Sequence, residues 1–126
     1  NIKFTASIFY ALGAKGVISV LSNILPEETH NICYSYFNGD QEKSDNLQLK
    51  YLELIEGLFM DINPIPVKQA MRAMGYPVGG CRLPLCDMDP ANAEKLYAIL
   101  KSYGLINSEV KAGSITVHNA KTRVIF

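Results

Sequence analysis

One short run constrains this chain more than any other feature. Gly16-Val17-Ile18-Ser19-Val20-Leu21 is rich in β-branched residues and is flanked on both sides by helical periodicity. A run of this kind between helices has the pattern of a buried parallel strand. It is the only strong strand signal in the first hundred residues. A single strand leaves its backbone donors and acceptors unpaired and needs neighbours on both sides. Read by itself, the chain is an incomplete β/α unit. An unpaired apolar edge recruits partners, and the candidates here are the tail of the same chain and the same strand of a second copy.

Around that run the sequence reads as helices. Phe4, Ile8 and Leu12 recur every four positions, and Gly13 follows where helix C-termini favour glycine. Pro26 with Glu27 and Glu28 predicts a helix start, because proline fits the first turn and acids face the positive end of the helix dipole. That helix is expected to reach about Asn38 and to end at Gly39. Asp40 is placed to cap the next, which is expected to run unbroken to about Met60 on a face of Leu47, Tyr51, Leu54, Ile55 and Leu58. Asn63-Pro64-Ile65-Pro66 forces an extended turn, with Pro66 predicted to open a short helix that Gly75 ends. Tyr76 to Asp87, with Pro77, Gly79, Gly80 and Pro84, predicts a loop. Asp89-Pro90 restarts a helix whose face is Leu96, Ile99, Leu100 and Tyr103, closed by Gly104. Beyond Asn107 the character changes: Ser114–Val117 and Arg123–Phe126 predict a short β-hairpin within 114–126.

The chain has 126 residues, enough for one modest core, and 48% hydrophobic with 19% charged residues is ordinary globular composition. Twelve basic residues balance twelve acidic ones without a basic stripe, which argues against nucleic acid or an anionic membrane as partner. No apolar run reaches the roughly 18 residues of a membrane span, and no signal peptide opens the chain. The first residue is Asn1, which points to processing or to a start inside a larger gene product. Three cysteines, Cys33, Cys81 and Cys86, are odd in number and irregularly spaced. A zinc pair tolerates the spacing of Cys81 and Cys86, but a second pair is missing, so reduced thiols in a cytoplasmic protein without metal or cofactor are expected.

The residues also carry a resemblance. Gly13-Ala14-Lys15-Gly16-Val17-Ile18-Ser19-Val20, with Ser22-Asn23 after it, resembles the eighth barrel strand of the dihydrodipicolinate synthase family. Asn63-Pro64-Ile65-Pro66-Val67-Lys68 is similar to that family's NPIPVK segment, and Arg82-Leu83-Pro84-Leu85 to its RLPL segment. Gly104-Leu105 resembles the point where those chains usually stop. The resemblance implies the C-terminal fragment of a (β/α)8 barrel, mainly α in this chain. Residues 1–38 would be the last β/α unit, 39–106 the C-terminal helical region and 107–126 a tail of unknown origin. It implies condensation of pyruvate with aspartate semialdehyde through a lysine Schiff base, in lysine biosynthesis, by a homo-oligomer. An iminium acidifies the adjacent methyl far better than a ketone does. The Schiff-base lysine, the relay hydroxyls and the substrate arginine belong to earlier strands absent here, so no catalytic residue is expected in this chain. A complete barrel takes roughly 200–250 residues.

By that resemblance Ile18 and Asn63 are the substrate-binding candidates, and Ile8 and Leu12 the oligomer-interface candidates. The plainer readings are core packing for Ile18 and a turn residue for Asn63. Lys68 follows the proline motif, but an activated lysine must be desolvated or sit beside another cation, and a solvated helix position with Gln69 and Arg72 is expected instead. Lys15 lies at the wrong end of a barrel strand for catalysis. Tyr10, Tyr34 and Tyr36 are expected to pack in core or interface, and His30 to be partly buried. The rival function is a non-catalytic helical oligomerisation or interaction module derived from such an enzyme.

Overall fold

The computed structural model describes the backbone of residues 6–111 and the side chains of residues 9–111. The described residues form helices without strands: α1 (Ala6–Ala11), a 3-10 turn at Leu21–Asn23, α2 (Pro26–Phe37), α3 (Gln41–Lys50), α4 (Leu52–Gly57), α5 (Ile65–Ala73) and α6 (Pro90–Ser102). They fall into two compact units, one ending at Glu56 and the other beginning at Gly57.

In the first unit local chemistry sets the helix ends. Pro26 opens α2, with Glu27 and Glu28 in its first turn. At the other end Gly39 adopts φ 87°, a left-handed conformation that costs glycine no Cβ clash. This lets Gly39 N donate to Tyr36 O (3.0 Å) and Asp40 N to Ser35 O (2.9 Å), satisfying two carbonyls the helix leaves open. Asp40 Oδ1 accepts from Lys43 N at 3.1 Å and so starts α3 in the same turn. The result is an antiparallel helical hairpin that buries Ile32 against α3, with the Ser44 hydroxyl donating to Ile32 O at 2.8 Å inside it. Tyr10 of α1, Leu21 and Ile24 complete the core.

Two expectations are corrected here. The run Gly16–Leu21 is no strand: residues 14–19 carry no regular structure, and Leu21 enters the 3-10 turn. Ile18 is neither strand nor core, since its side chain is 108% exposed, and Val17 is also exposed. The physical reason is the pairing deficit: no strand among the described residues offers it a ladder. The long helix to Met60 is likewise two helices. Tyr51, at φ −99° and ψ 7°, leaves helical geometry, although Ile55 N still donates to Tyr51 O at 2.9 Å, so the hydrogen-bond ladder passes through the break. The buried face is Ser44, Gln48, Tyr51 and Leu54, while Leu47 is only half-buried.

In the second unit α5 packs on α6. Leu58, Ile65, Pro66, Val67, Ala70, Met88, Ala93, Leu96, Tyr97 and Leu100 are buried. Gly57 lies where an added Cβ would meet Ile99 Cδ1 at 3.0 Å, so a larger residue there would need Ile99 to give way by a few tenths of an ångström. Proline lies in the first turn of both helices; Pro90 is first in α6, as expected, whereas Ile65, not Pro66, is the first residue of α5, with Pro66 second. The peptide bonds before Pro64 and Pro84 are cis. Asp89 caps α6 as predicted, its Oδ1 accepting from Ala91 N at 2.9 Å and Asn92 N at 3.4 Å. Gly75 and Gly104 close α5 and α6 with the same pair of bonds seen at Gly39. The expected hairpin at 114–126 lies outside the described residues.

Candidate functional site

Among the described residues of the second unit, a connected polar arrangement spans α5, the loop after it and α6. Lys68, Gln69 and Arg72 are spaced three and four residues apart on α5, which places them along one side of the helix. Lys68 Nζ donates to Gly80 O at 2.6 Å. Arg72 donates from both Nη1 and Nη2 to Asp87 Oδ1, each at 3.1 Å. Arg72 Nη2 also donates to Gln69 Oε1, and Gln69 Nε2 donates to the Tyr97 hydroxyl. The Arg72 side chain is only 9% exposed, and its Nε is buried without a hydrogen-bond partner. Sequence reasoning placed this group in solvent. The only available signal was the spacing of three polar residues on a helix whose remaining face is apolar.

This arrangement binds chain to chain. An amine must present its lone pair to attack a carbonyl, whereas Lys68 uses its protons on Gly80 O. Lys15 is exposed, beside no desolvating surface. Among the described residues no group of three or more His, Cys, Asp or Glu side chains stands close enough to hold a metal ion. A shallow depression of about 360 Å³ is lined by Asp40, Glu42, Lys43, Asn46, Leu47 and Lys50, the solvated side of α3. No described helix is long and apolar enough to cross a membrane.

In the first unit the Tyr10 hydroxyl donates to Cys33 Sγ at 2.6 Å, and the Tyr10 ring packs beside Tyr36 and Phe37. Burial, reinforced by the Cys33 contact, pushes the Tyr10 phenol above its ordinary range. Burial also raises Tyr97, against the opposing pull of Gln69 and Arg72. Both groups therefore hold their proton more tightly folded than unfolded. Their contribution is complete below the ordinary phenol pKa of about 10 and falls as pH rises above it, by up to about 1.4 kcal/mol per pH unit for each. Urea melts at rising alkaline pH should show this slope, and Tyr10→Phe or Tyr97→Phe should flatten it. Tyr34 is exposed and stacks on His30 at 5.3 Å; His30 is itself exposed rather than partly buried.

The residues singled out from sequence are distributed as follows. Ile18 is fully exposed in the first unit, and Asn63 is exposed in the turn before α5 in the second. Leu12 is 79% exposed after α1. The Ile8 side chain lies outside the described residues. Phe9, Tyr34 and Phe37 are further large apolar side chains left exposed in the first unit.

Comparison with known proteins brings these observations together. Residues 4–103 match the dihydrodipicolinate synthetase family. A 4-hydroxy-tetrahydrodipicolinate synthase of Clostridium perfringens is 57% identical over 96 residues, covering 76% of this chain and 33% of that protein. The enzyme of the same name from Acetivibrio thermocellus is 53% identical over 96 residues, with the same coverage of 76% and 33%. Among solved structures, dihydrodipicolinate synthase from Thermotoga maritima superposes with a TM-score of 0.76 at 39% identity, over 79% of this chain and 34% of that one. The Aquifex aeolicus enzyme gives 0.74 at 39% identity, over 79% and 34%. The chain thus spans about a third of the length of the relatives it matches.

Proposed function

The chain belongs to the dihydrodipicolinate synthetase family, and from that premise we propose that it is the C-terminal third of a synthase that condenses pyruvate with aspartate semialdehyde in lysine biosynthesis. In this reading the chain supplies the last barrel strand and the helical region behind it, and the Schiff-base lysine comes from the missing two thirds. The observation that carries it is the bare run Val17–Ile18. A β-branched run this exposed, with Ile18 at 108%, fits a segment that would take up strand pairing only beside the neighbours of a complete barrel. Once paired, Ile18 would stand at the pyruvate end of that strand and Asn63 near the mouth of the site.

Alone, the chain is inactive in this reading. Lys68 donates to Gly80 O and Lys15 is exposed to solvent, so neither is set to serve as the Schiff-base amine. The experiment is borohydride reduction with pyruvate, followed by intact mass and peptide mapping. The isolated chain should keep its mass. Mixed with the preceding two thirds of a relative, it should support an adduct confined to that added polypeptide. A reduced pyruvyl adduct on Lys68 or Lys15 would refute the assignment.

A second reading is favoured by the exposed Leu12, Tyr34 and Phe37. Uncovered apolar side chains also suit a helical oligomerisation module, with Ile8 and Leu12 at the contact between copies. The same mixing experiment separates the two: a module of this kind restores no adduct to the added polypeptide.

A further inference from the structure

The loop between α5 and α6 is folded back on itself. Leu85 N donates to Arg82 O at 3.0 Å, which closes a tight turn with Leu83 and Pro84 at its centre. Two residues further out, the chain ends of this turn meet again. A Cβ built on Gly80 would stand 3.9 Å from Asp87 Oδ1. Both ends are held by one helix, Gly80 O through Lys68 and Asp87 through Arg72, side chains one turn apart on α5. Cys81 and Cys86 lie between these two closures, one on each arm of the loop. With the arms held together on either side of them, the two residues are confined to neighbouring positions, and a disulfide bridges Cα separations of roughly 4.4–6.8 Å.

We propose that Cys81 and Cys86 are a redox pair that closes the loop with a reversible disulfide, and that the oxidant is a low-molecular-weight disulfide such as glutathione disulfide. Both are free thiols in this structure, Cys86 exposed and Cys81 half-buried. Access therefore favours Cys86 as the first to react. It loses its proton to solvent, and its thiolate attacks one sulfur of the oxidant. A Cys86–glutathione bond forms, the oxidant's S–S bond breaks, and one glutathione thiolate leaves with the electron pair and takes up a proton. Cys81, deprotonated in turn, attacks Cys86 Sγ and expels the second glutathione. Two protein thiols are oxidised and one disulfide is reduced to two thiols. The bond fastens the segment that presents Asp87 to Arg72. Cys33, in the first unit and in contact with the Tyr10 hydroxyl, is left reduced.

The full chain, reduced and dilute, is incubated with glutathione disulfide, quenched in acid, alkylated, and read by intact mass and peptide mapping. The expected product is lighter by two hydrogens, carries one alkyl group, on Cys33, and yields a Cys81–Cys86 cross-linked peptide. Cys81→Ser should stop at a mixed disulfide on Cys86. Because the folded loop already holds the two residues together, the equilibrium for closure should favour the disulfide about tenfold more in native buffer than in urea. Stable glutathione adducts on both Cys81 and Cys86, a link to Cys33 or between chains, or equal closure with and without urea would overturn the proposal.

Discussion

Replacing Tyr97 by alanine should cost about 3–5 kcal/mol of stability, the range for emptying a large aromatic site in a core that relaxes only partly. Tyr97 is completely buried on α6, between Leu96 and a helical turn that continues to Leu100, both also at 0% exposure. The substitution removes two things, and a second variant divides them. Tyr97→Phe keeps the ring and deletes only the hydroxyl that accepts from Gln69 Nε2. An orphaned buried donor costs about 1–3 kcal/mol, so phenylalanine should recover the larger part of the alanine loss. Urea melts of the three proteins check both numbers. If Tyr97→Phe lost as much as Tyr97→Ala, the polar chain from Asp87 through Arg72 and Gln69 would be holding α6 in place, and the ring contributing little.

The second large effect is a contrast between two isoleucines. Ile32→Ala should cost about 2–5 kcal/mol, because its side chain is 5% exposed inside the α2–α3 hairpin. Ile18→Ala should change stability by less than about 0.5 kcal/mol, as expected for a side chain that touches nothing. Both are isoleucines, so residue type does not separate them. Thermal melts do. A loss at Ile18 comparable to that at Ile32 would mean the run around it is packed in solution, against the exposed position found here.

The difference between those residues shows where the sequence was readable. Helix ends are decided by bonds a few residues long. Asp40 to Lys43 N, Asp89 to Ala91 N, and the glycine-closed turns at Gly39, Gly75 and Gly104 were all predictable because each partner lies within one turn of chain. The break at Tyr51 was not, since the residue that leaves helical geometry is neither proline nor glycine, and its carbonyl still accepts a helical bond. Nor was the burial of Arg72. Its partner Asp87 is fifteen residues away across a loop, and Tyr97 is further still. An isolated reading of α5 finds three polar residues on one side and assigns that side to water.

The candidate site divides along the same line. The motifs around Ile18, Asn63 and Arg82 identify the family from local sequence alone, and the family match over residues 4–103 agrees with them. What those residues contact was a question of neighbours. Local sequence by itself determined where helices begin and end and which lineage the chain belongs to, because caps and motifs need nothing beyond adjacent residues. Only the tertiary structure decided that Gly16–Leu21 is no strand and that Arg72 is covered. Strand hydrogen bonds and the desolvation of a charge both depend on residues far along the chain, and for the strand none of the described residues supplies a partner.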